Sequence, residues 1–246
     1  MNSKNEIEKF FRYEFKYVIP SYLKEKLKKD ISYFMKIDKY ALLQNEEKYF
    51  VRSLYFEDYN NSNFYEKIDG VRQRKKYRLR TYARDFNDRS LIFLEQKSRF
   101  ENHVTKYRKK IFNKDLKLFY RSNKIFDLLK RYNNPIISSF LYDYTKKNIR
   151  PKVLVDYYRT PYISNFDMNF RLTIDQNIVV YRASELFNNS NRKTNTLLDN
   201  FILEIKFRRR IPSWFHKIIM GYNLQRISIS KFVLGIKYTK LASDLS

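Results

Sequence analysis

The sequence predicts an α+β fold, an antiparallel sheet with helices packed on it, and three observations predict it. At least six segments alternate ionic with apolar or neutral residues at the period of a β-strand. Segments with a helical apolar stripe interrupt that series instead of following it. No shift in composition divides the 246 residues, so residues 1–246 are expected to form a single domain.

The densest alternation is Lys76-Tyr77-Arg78-Leu79-Arg80-Thr81-Tyr82, followed by Phe93-Leu94-Glu95-Gln96-Lys97-Ser98-Arg99. Residues i and i+2 of a strand share a face about 6.5 Å apart, so Arg78 and Arg80 project together, as do Glu95, Lys97 and Arg99. The polar stretch Asp85 to Leu91 between the two runs makes them a β-hairpin, from about Val71 to Arg99.

From the N-terminus, Phe11 to Val18 is a strand with Arg12, Glu14 and Lys16 on one face. Pro20 suits the first turn of a helix whose stripe is Leu23, Leu27, Ile31 and Phe34. Lys48 to Phe56 is a second strand, and Asn60 to Gly70 a polar connection with a helical turn. After the hairpin, His103 to Phe112 carries Lys106, Arg108 and Lys110 at alternate positions. Two helices follow: Asp115 to Tyr132, with Leu116, Phe119, Ile125, Leu128 and Leu129 apolar, and Pro135 to Lys147.

Arg150-Pro151 opens another strand block, in which Tyr157 and Arg159 share a face with Val153 and Val155. Asn169 to Asp175 sets Arg171, Thr173 and Asp175 opposite Phe170, Leu172 and Ile174. Asn188 to Thr196 is polar and low in complexity, hence a loop. In Phe201 to Phe207, Glu204 and Lys206 face away from Leu203, Ile205 and Phe207. Pro212 starts a helix to about Tyr222, and Ser230 can cap a last one, Lys231 to about Leu241.

Fifty-one basic residues against 26 acidic ones leave a net charge of +25, which implies a densely anionic partner. There are no cysteines, so thiolate metal sites are excluded, and with only His103 and His216, far apart in sequence, a histidine-built zinc site is not expected. With three glycines there is no Gly-rich phosphate loop, and any phosphate must be held by side chains. No apolar run approaches the roughly 20 residues of a membrane span, and the first residues lack an apolar leader, so a cytoplasmic protein is expected.

One ionic strand face is most simply the wet side of a sheet. Six such faces, each backed by an apolar or aromatic one, fit instead a barrel with an ionic interior. RNA binding would also suit the charge and the 18% aromatic residues. A nucleic-acid platform does not call for Glu14, Glu95 and Glu204 on the charged faces, so nucleic acid is not the expected partner.

The set Arg12-x-Glu14-x-Lys16-Tyr17, Ser53-Leu54-Tyr55-Phe56, Arg78-x-Arg80, Glu95-x-Lys97, Arg150-Pro151, Tyr157-x-Arg159-Thr160, Arg171-Leu172-Thr173-Ile174-Asp175, Leu203-Glu204-Ile205-Lys206 and Ser230-Lys231-Phe232 resembles, in order along nearly the whole chain, the VTC domain. That is the polyphosphate polymerase domain of the vacuolar transporter chaperone type, within the triphosphate tunnel metalloenzymes. The resemblance implies an antiparallel eight-stranded β-barrel tunnel, helices outside, in which ATP donates its γ-phosphate to a growing inorganic polyphosphate chain. It implies Lys16, Arg78, Arg80, Lys97, Arg159 and Arg171 as catalytic phosphate ligands, and Tyr157, Lys206, Ser230 and Lys231 as substrate-binding. Lys106 and Arg108 join the substrate-binding set from the ionic face of their own strand. Mn²⁺ or Mg²⁺ is the implied metal, with Glu204 as ligand and Glu14 and Glu95 as helpers.

Triphosphatases of the same superfamily carry Glu-x-Glu-x-Lys on the first strand, and here Arg12 takes the place of the first Glu. That tilts the expectation from hydrolysis towards polymerisation. A tunnel open at both ends would release product as it grows. No membrane segment or regulatory domain is expected beside the tunnel, so export of the polymer would need a separate membrane protein as partner.

Overall fold

A computed structural model describes residues 7–9, 13–42, 47–101, 103–187 and 193–243. Its strands are β1 (Ile7–Lys9), β2 (Tyr13–Pro20), β3 (Met35–Ile37), β4 (Tyr49–Glu57), β5 (Gln73–Thr81), β6 (Ile92–Phe100), β7 (His103–Ile111), β8 (Arg150–Ser164), β9 (Arg171–Arg182), β10 (Thr194–Thr196) and β11 (Asn200–Phe207). Its α-helices are α1 (Lys24–Ser32), α2 (Lys39–Leu42), α3 (Ser62–Ile68), α4 (Asp127–Arg131), α5 (Pro135–Lys146), α6 (Ser213–Gly221) and α7 (Lys231–Tyr238). Two 3₁₀ segments, Ser21–Leu23 and Asn113–Tyr120, join them.

All strands pair antiparallel in one sheet, in the order β1-β7-β6-β5-β4-β8-β9-β11-β2, with β10 on β9 and β3 on β8. Eight of these strands have eight residues or more, which agrees with the eight-stranded expectation. Among the described residues the path of hydrogen bonds does not rejoin itself. Its two ends, β1 and β2, are nevertheless consecutive in the chain, so the sheet must curl. An ion pair between Lys97 of β6 and Glu14 of β2, 2.9 Å long, bridges the two flanks.

Strand alternation now has a consequence for packing, because each strand sends one set of residues outward and the other inward. Outward, Leu54, Phe56, Tyr77, Leu79, Leu94 and Leu154 pack against α4, α5 and the Asn113–Tyr120 segment. On the other flank Tyr17, Ile19, Leu172, Leu203 and Ile205 pack against α1 and α6. Inward, Val51, Tyr55, Val153, Val155, Ile178, Val180 and Ile202 form an apolar tier with Phe64 of α3 and Phe232 and Ile236 of α7. The last helix thus lies inside the curl. Gly235 makes that approach feasible, since a Cβ there would stand 2.9 Å from a Val153 methyl.

Several expectations are corrected. One helix expected to pack outside, α7, instead covers inner-face residues including Val153 and Val155. The single helix over Asp115 to Tyr132 is a 3₁₀ segment and a five-residue helix instead. Arg121 adopts an extended conformation between them, and the Ser122 hydroxyl bonds to Tyr144 Oη at 3.0 Å, so side-chain contacts win over helical spacing. Leu129 is exposed. Ser230 sits at the N-cap of α7 without a capping side-chain bond. Thr194–Thr196 is a strand within the expected loop, while residues 188–192, Phe11 and Arg12 lie outside the described residues.

Candidate active site

Register decides which ionic residues meet. β2 and β11 set Lys16 opposite Glu204 and Glu14 opposite Lys206. β5 and β6 set Arg78 opposite Glu95, and β7 sets Arg108 opposite Glu95 from the other side. β8 and β9 set Arg159 opposite Asp175. Each carboxylate therefore meets cations from two or more elements, above the apolar tier that α7 covers.

Glu95 lies under four cations: Arg78 Nη2 at 2.6 Å, Lys106 Nζ at 3.0 Å, Arg108 Nε at 3.6 Å and Arg80 Nη1 at 3.7 Å. Asp175 accepts two bonds from Arg159, at 2.6 and 2.8 Å, and one from Lys231 of α7 at 2.5 Å. Glu204 stands 3.0 Å from Lys206 and 4.0 Å from Lys16, which also donates to the Ile229 carbonyl. Arg80 is held differently, by the neutral hydroxyls of Ser53 and Tyr157 at 3.2 and 3.3 Å. Arg78 also donates to Tyr55 Oη.

Glu95 is 2% exposed, Asp175 0%, and Arg80 and Glu204 7% each, so these charges face inward and not a water-washed exterior. Burial would raise the Glu95 carboxyl, but Arg78, Arg80 and Lys106 hold it well below the carboxylate range. Burial likewise opposes ionisation of Glu204, and Lys206, Lys16, Arg159 and Lys231 overcome it. The Glu14 carboxyl is brought down to about 2 against its own burial, chiefly by Lys97. Burial pushes the Lys16 ammonium below its ordinary value and Lys106 down to about 8, with Glu95 opposing the latter only in part.

The structure brings Lys16, Arg78, Arg80, Lys106, Arg108, Tyr157, Arg159, Lys206 and Lys231 onto the inner face with Glu14, Glu95 and Glu204. Lys97 is half-exposed and pairs with Glu14. Arg171 is exposed, in register with Lys206. Sequence reasoning left out Asp175, Tyr55 and Ser53. Asp175 carried a signal, since it shares a strand face with Arg171, whereas Ser53 and Tyr55 lie on β4, which supplied no chosen residue.

Among the described residues no three His, Asp or Glu side chains gather as a ready-made metal cage. Glu95 does not fit a ligand role, because four cations already occupy its surroundings. Glu204 and Glu14 do fit, being near enough to raise each other's cost of ionisation. Beside Glu204 in register lies Thr173, whose buried hydroxyl has no hydrogen-bond partner. One or two carboxylates plus substrate phosphates is the usual donor set for Mg²⁺.

A cavity of about 220 Å³ lies on the outer side of β4 and β8, lined by Phe50, Arg52, Arg84, Asp156 and Tyr158 among others. Arg52 donates to both Asp156 oxygens and to Tyr181 there, so its floor is neutralised.

Two inner lysines give a testable pH dependence. Lys106 faces Glu95, Arg78 and Arg80; Lys76, pushed down to about 7 by burial, faces Glu57, Arg74, Lys67 and Lys97. The folded protein releases protons that the unfolded chain keeps up to about pH 10.4, so stability grows as pH rises between those limits. The thermal midpoint of the ligand-free protein should climb from pH 7 to 9. Lys76→Met with Lys106→Met should flatten that climb, and an undiminished slope in the double variant would contradict it.

A family model described as the VTC domain matches residues 11–240. No curated protein matches the chain in sequence. Among solved structures, a Bacillus halodurans protein described provisionally as an adenylate cyclase is 13% identical, with a TM-score of 0.48, covering 90% of this chain and 96% of its own. The PH1819 protein of Pyrococcus horikoshii OT3 is 12% identical, with a TM-score of 0.46, covering 92% and 98%. The Mimivirus capping enzyme triphosphatase is 13% identical, with a TM-score of 0.24, covering 82% and 96%.

Proposed function

The chain belongs to the VTC domain family, and from that membership and its inward charge we propose that it is a polyphosphate polymerase. Its γ-phosphoryl donor is ATP and its acceptor the end of an inorganic polyphosphate chain. The observation that supports this reading is the convergence of cations from β2, β5, β7, β8, β11 and α7 on buried carboxylates of the inner face.

Phosphoryl transfer asks mainly for positioning and for charge stabilisation of the transferred group. Here Arg80 and Arg78 present planar forks to phosphate oxygens, and Lys106, Lys16, Lys206 and Lys231 act as movable point charges. Tyr157 and Ser53 orient Arg80 without neutralising it. A terminal polyphosphate oxygen is already anionic near neutral pH, so the channel needs no general base. That oxygen forms a bond to the γ-phosphorus as the β–γ bridging bond breaks, and the electron pair leaves with ADP. Polyphosphate gains one unit and every atom is accounted for.

The family implies a divalent metal, which Glu204 and Glu14 would hold. When bound it would neutralise charge on the donor's phosphate oxygens. No described helix is long and apolar enough to cross a membrane.

Incubation with ATP and Mn²⁺ or Mg²⁺, read on a polyphosphate-stained gel with ADP quantified in parallel, tests the reading. Long chains with matching ADP are expected. Orthophosphate alone would make the protein a triphosphatase of the same fold.

A further inference from the structure

The channel's cations are bordered by an aromatic wall that phosphate chemistry does not require. Tyr49 ends the inner face of β4, directly opposite Arg159 in register. Tyr82 follows Arg80 by two residues, and Phe93 precedes Glu95 by two, so both continue inner faces that carry channel charges. Their rings touch: Tyr49 to Tyr82 at 5.6 Å and Tyr82 to Phe93 at 6.3 Å between centroids. Tyr40, on α2, reaches in to close the group, 5.4 Å from Tyr49 and 6.1 Å from Tyr82.

The wall is wired to the phosphate clamp. Arg108, one of the cations around Glu95, lies 3.4 Å above the Phe93 ring and donates to Tyr82 Oη at 3.2 Å. Burial pushes the Tyr49 phenol up to about 12, against the pull of Arg159 and Arg80, which places its ring end beside the channel cations. Tyr49 and Tyr82 rest on the inner apolar tier, yet Tyr40 is 42% exposed and Tyr49, Tyr82 and Phe93 are each partly exposed, so every ring keeps some surface open to a ligand.

An inorganic chain offers such rings nothing, because every phosphate unit is hydrophilic and anionic. A nucleoside triphosphate offers both halves of the match, a planar base for the rings and phosphates for the adjoining cations. We propose that Tyr40, Tyr49, Tyr82 and Phe93 form a nucleobase site that lets the channel prefer a nucleoside triphosphate over inorganic tripolyphosphate as donor. This rests on the channel reading and adds the specificity that reading lacks. Stacking on aromatic side chains is tolerant of base identity, so purine and pyrimidine donors should both bind.

The test is calorimetric titration of ATP and of tripolyphosphate, both in EDTA so that no transfer proceeds, against the full chain. Wild type should favour ATP, and Tyr49→Leu and Tyr82→Leu should each reduce the ATP-to-tripolyphosphate affinity ratio by about tenfold. Tyr82→Phe, which keeps the ring, should recover most of that ratio. If either leucine variant fails to fold, Tyr40→Ala serves, since Tyr40 stands on a short exposed-faced helix, and it should lower the ratio in the same direction. A ratio that none of these variants moves overturns the nucleobase site while tripolyphosphate binding leaves the channel reading intact. A wild type that binds neither ligand overturns the channel reading and this inference with it.

Discussion

Arg80→Ala is expected to lower polyphosphate formation by about 10²- to 10³-fold, the usual cost of removing one preorganised donor to developing charge. The reason lies in how Arg80 is held. Its guanidinium is fixed by Ser53 Oγ and Tyr157 Oη, two neutral acceptors, and its approach to Glu95 is a distant 3.7 Å. The charge is oriented but not spent. Arg78 is held by Glu95 itself, through Nε and Nη2 at 2.7 and 2.6 Å, so part of its charge is already answered. Arg78→Ala should therefore cost less than Arg80→Ala.

Neither change should unfold the chain. A buried carboxylate stripped of its only partner costs about 3–5 kcal/mol, but Glu95 keeps three of its four cations in either variant. Arg80→Lys should recover only part of the rate, because an ammonium cannot use both hydroxyls and a phosphate with one planar fork. Initial rates of ADP release, with thermal midpoints measured in parallel, check all three. Near-normal turnover in Arg80→Ala would remove that residue from the site.

Glu204→Gln is expected to act in opposite directions on binding and on chemistry. Glu204 is the anion that Lys16 and Lys206 share, so neutralising it frees two inner cations for phosphate. Tripolyphosphate in EDTA should then bind more tightly than to wild type. Turnover in Mn²⁺ should nevertheless fall by about 10²-fold, because a proposed metal ligand is lost and a bound metal contributes several kcal/mol of charge stabilisation. Tighter metal-free binding with slower turnover separates a metal ligand from a mere counter-ion. An unchanged Mn²⁺ titration would refute the ligand assignment, and weaker binding would refute the counter-ion role.

Much of this site was legible in the alternation of charges, because period 2 assigns a residue to a face whatever the tertiary fold. Arg78, Arg80, Lys16, Glu204 and Lys206 were legible in that way. Alternation does not say who stands across the strand. Glu95 read as a helper for metal, whereas register places Arg108 directly opposite it and Arg78 on the other side. Asp175 was visible as an inner-face residue, but its sharing by Arg159 and Lys231 depends on where α7 docks. That docking was not legible, since Phe232 and Ile236 form the same apolar stripe whether a helix covers the outside or the inside of a curled sheet. The same limit produced the overlong helix before Tyr132, where apolar spacing persists across an extended Arg121.

The central claim is that the polyanion binds inside the curl and not to the general excess of basic residues. Titration of tripolyphosphate into three proteins tests this most directly: wild type, Arg78→Ala/Arg80→Ala, and Lys114→Ala/Lys117→Ala, whose lysines are exposed on the outer 3₁₀ segment. Both double variants lose the same formal charge. A binding isotherm abolished by the inner pair and untouched by the outer pair is the predicted result, and equal weakening by the two would contradict it.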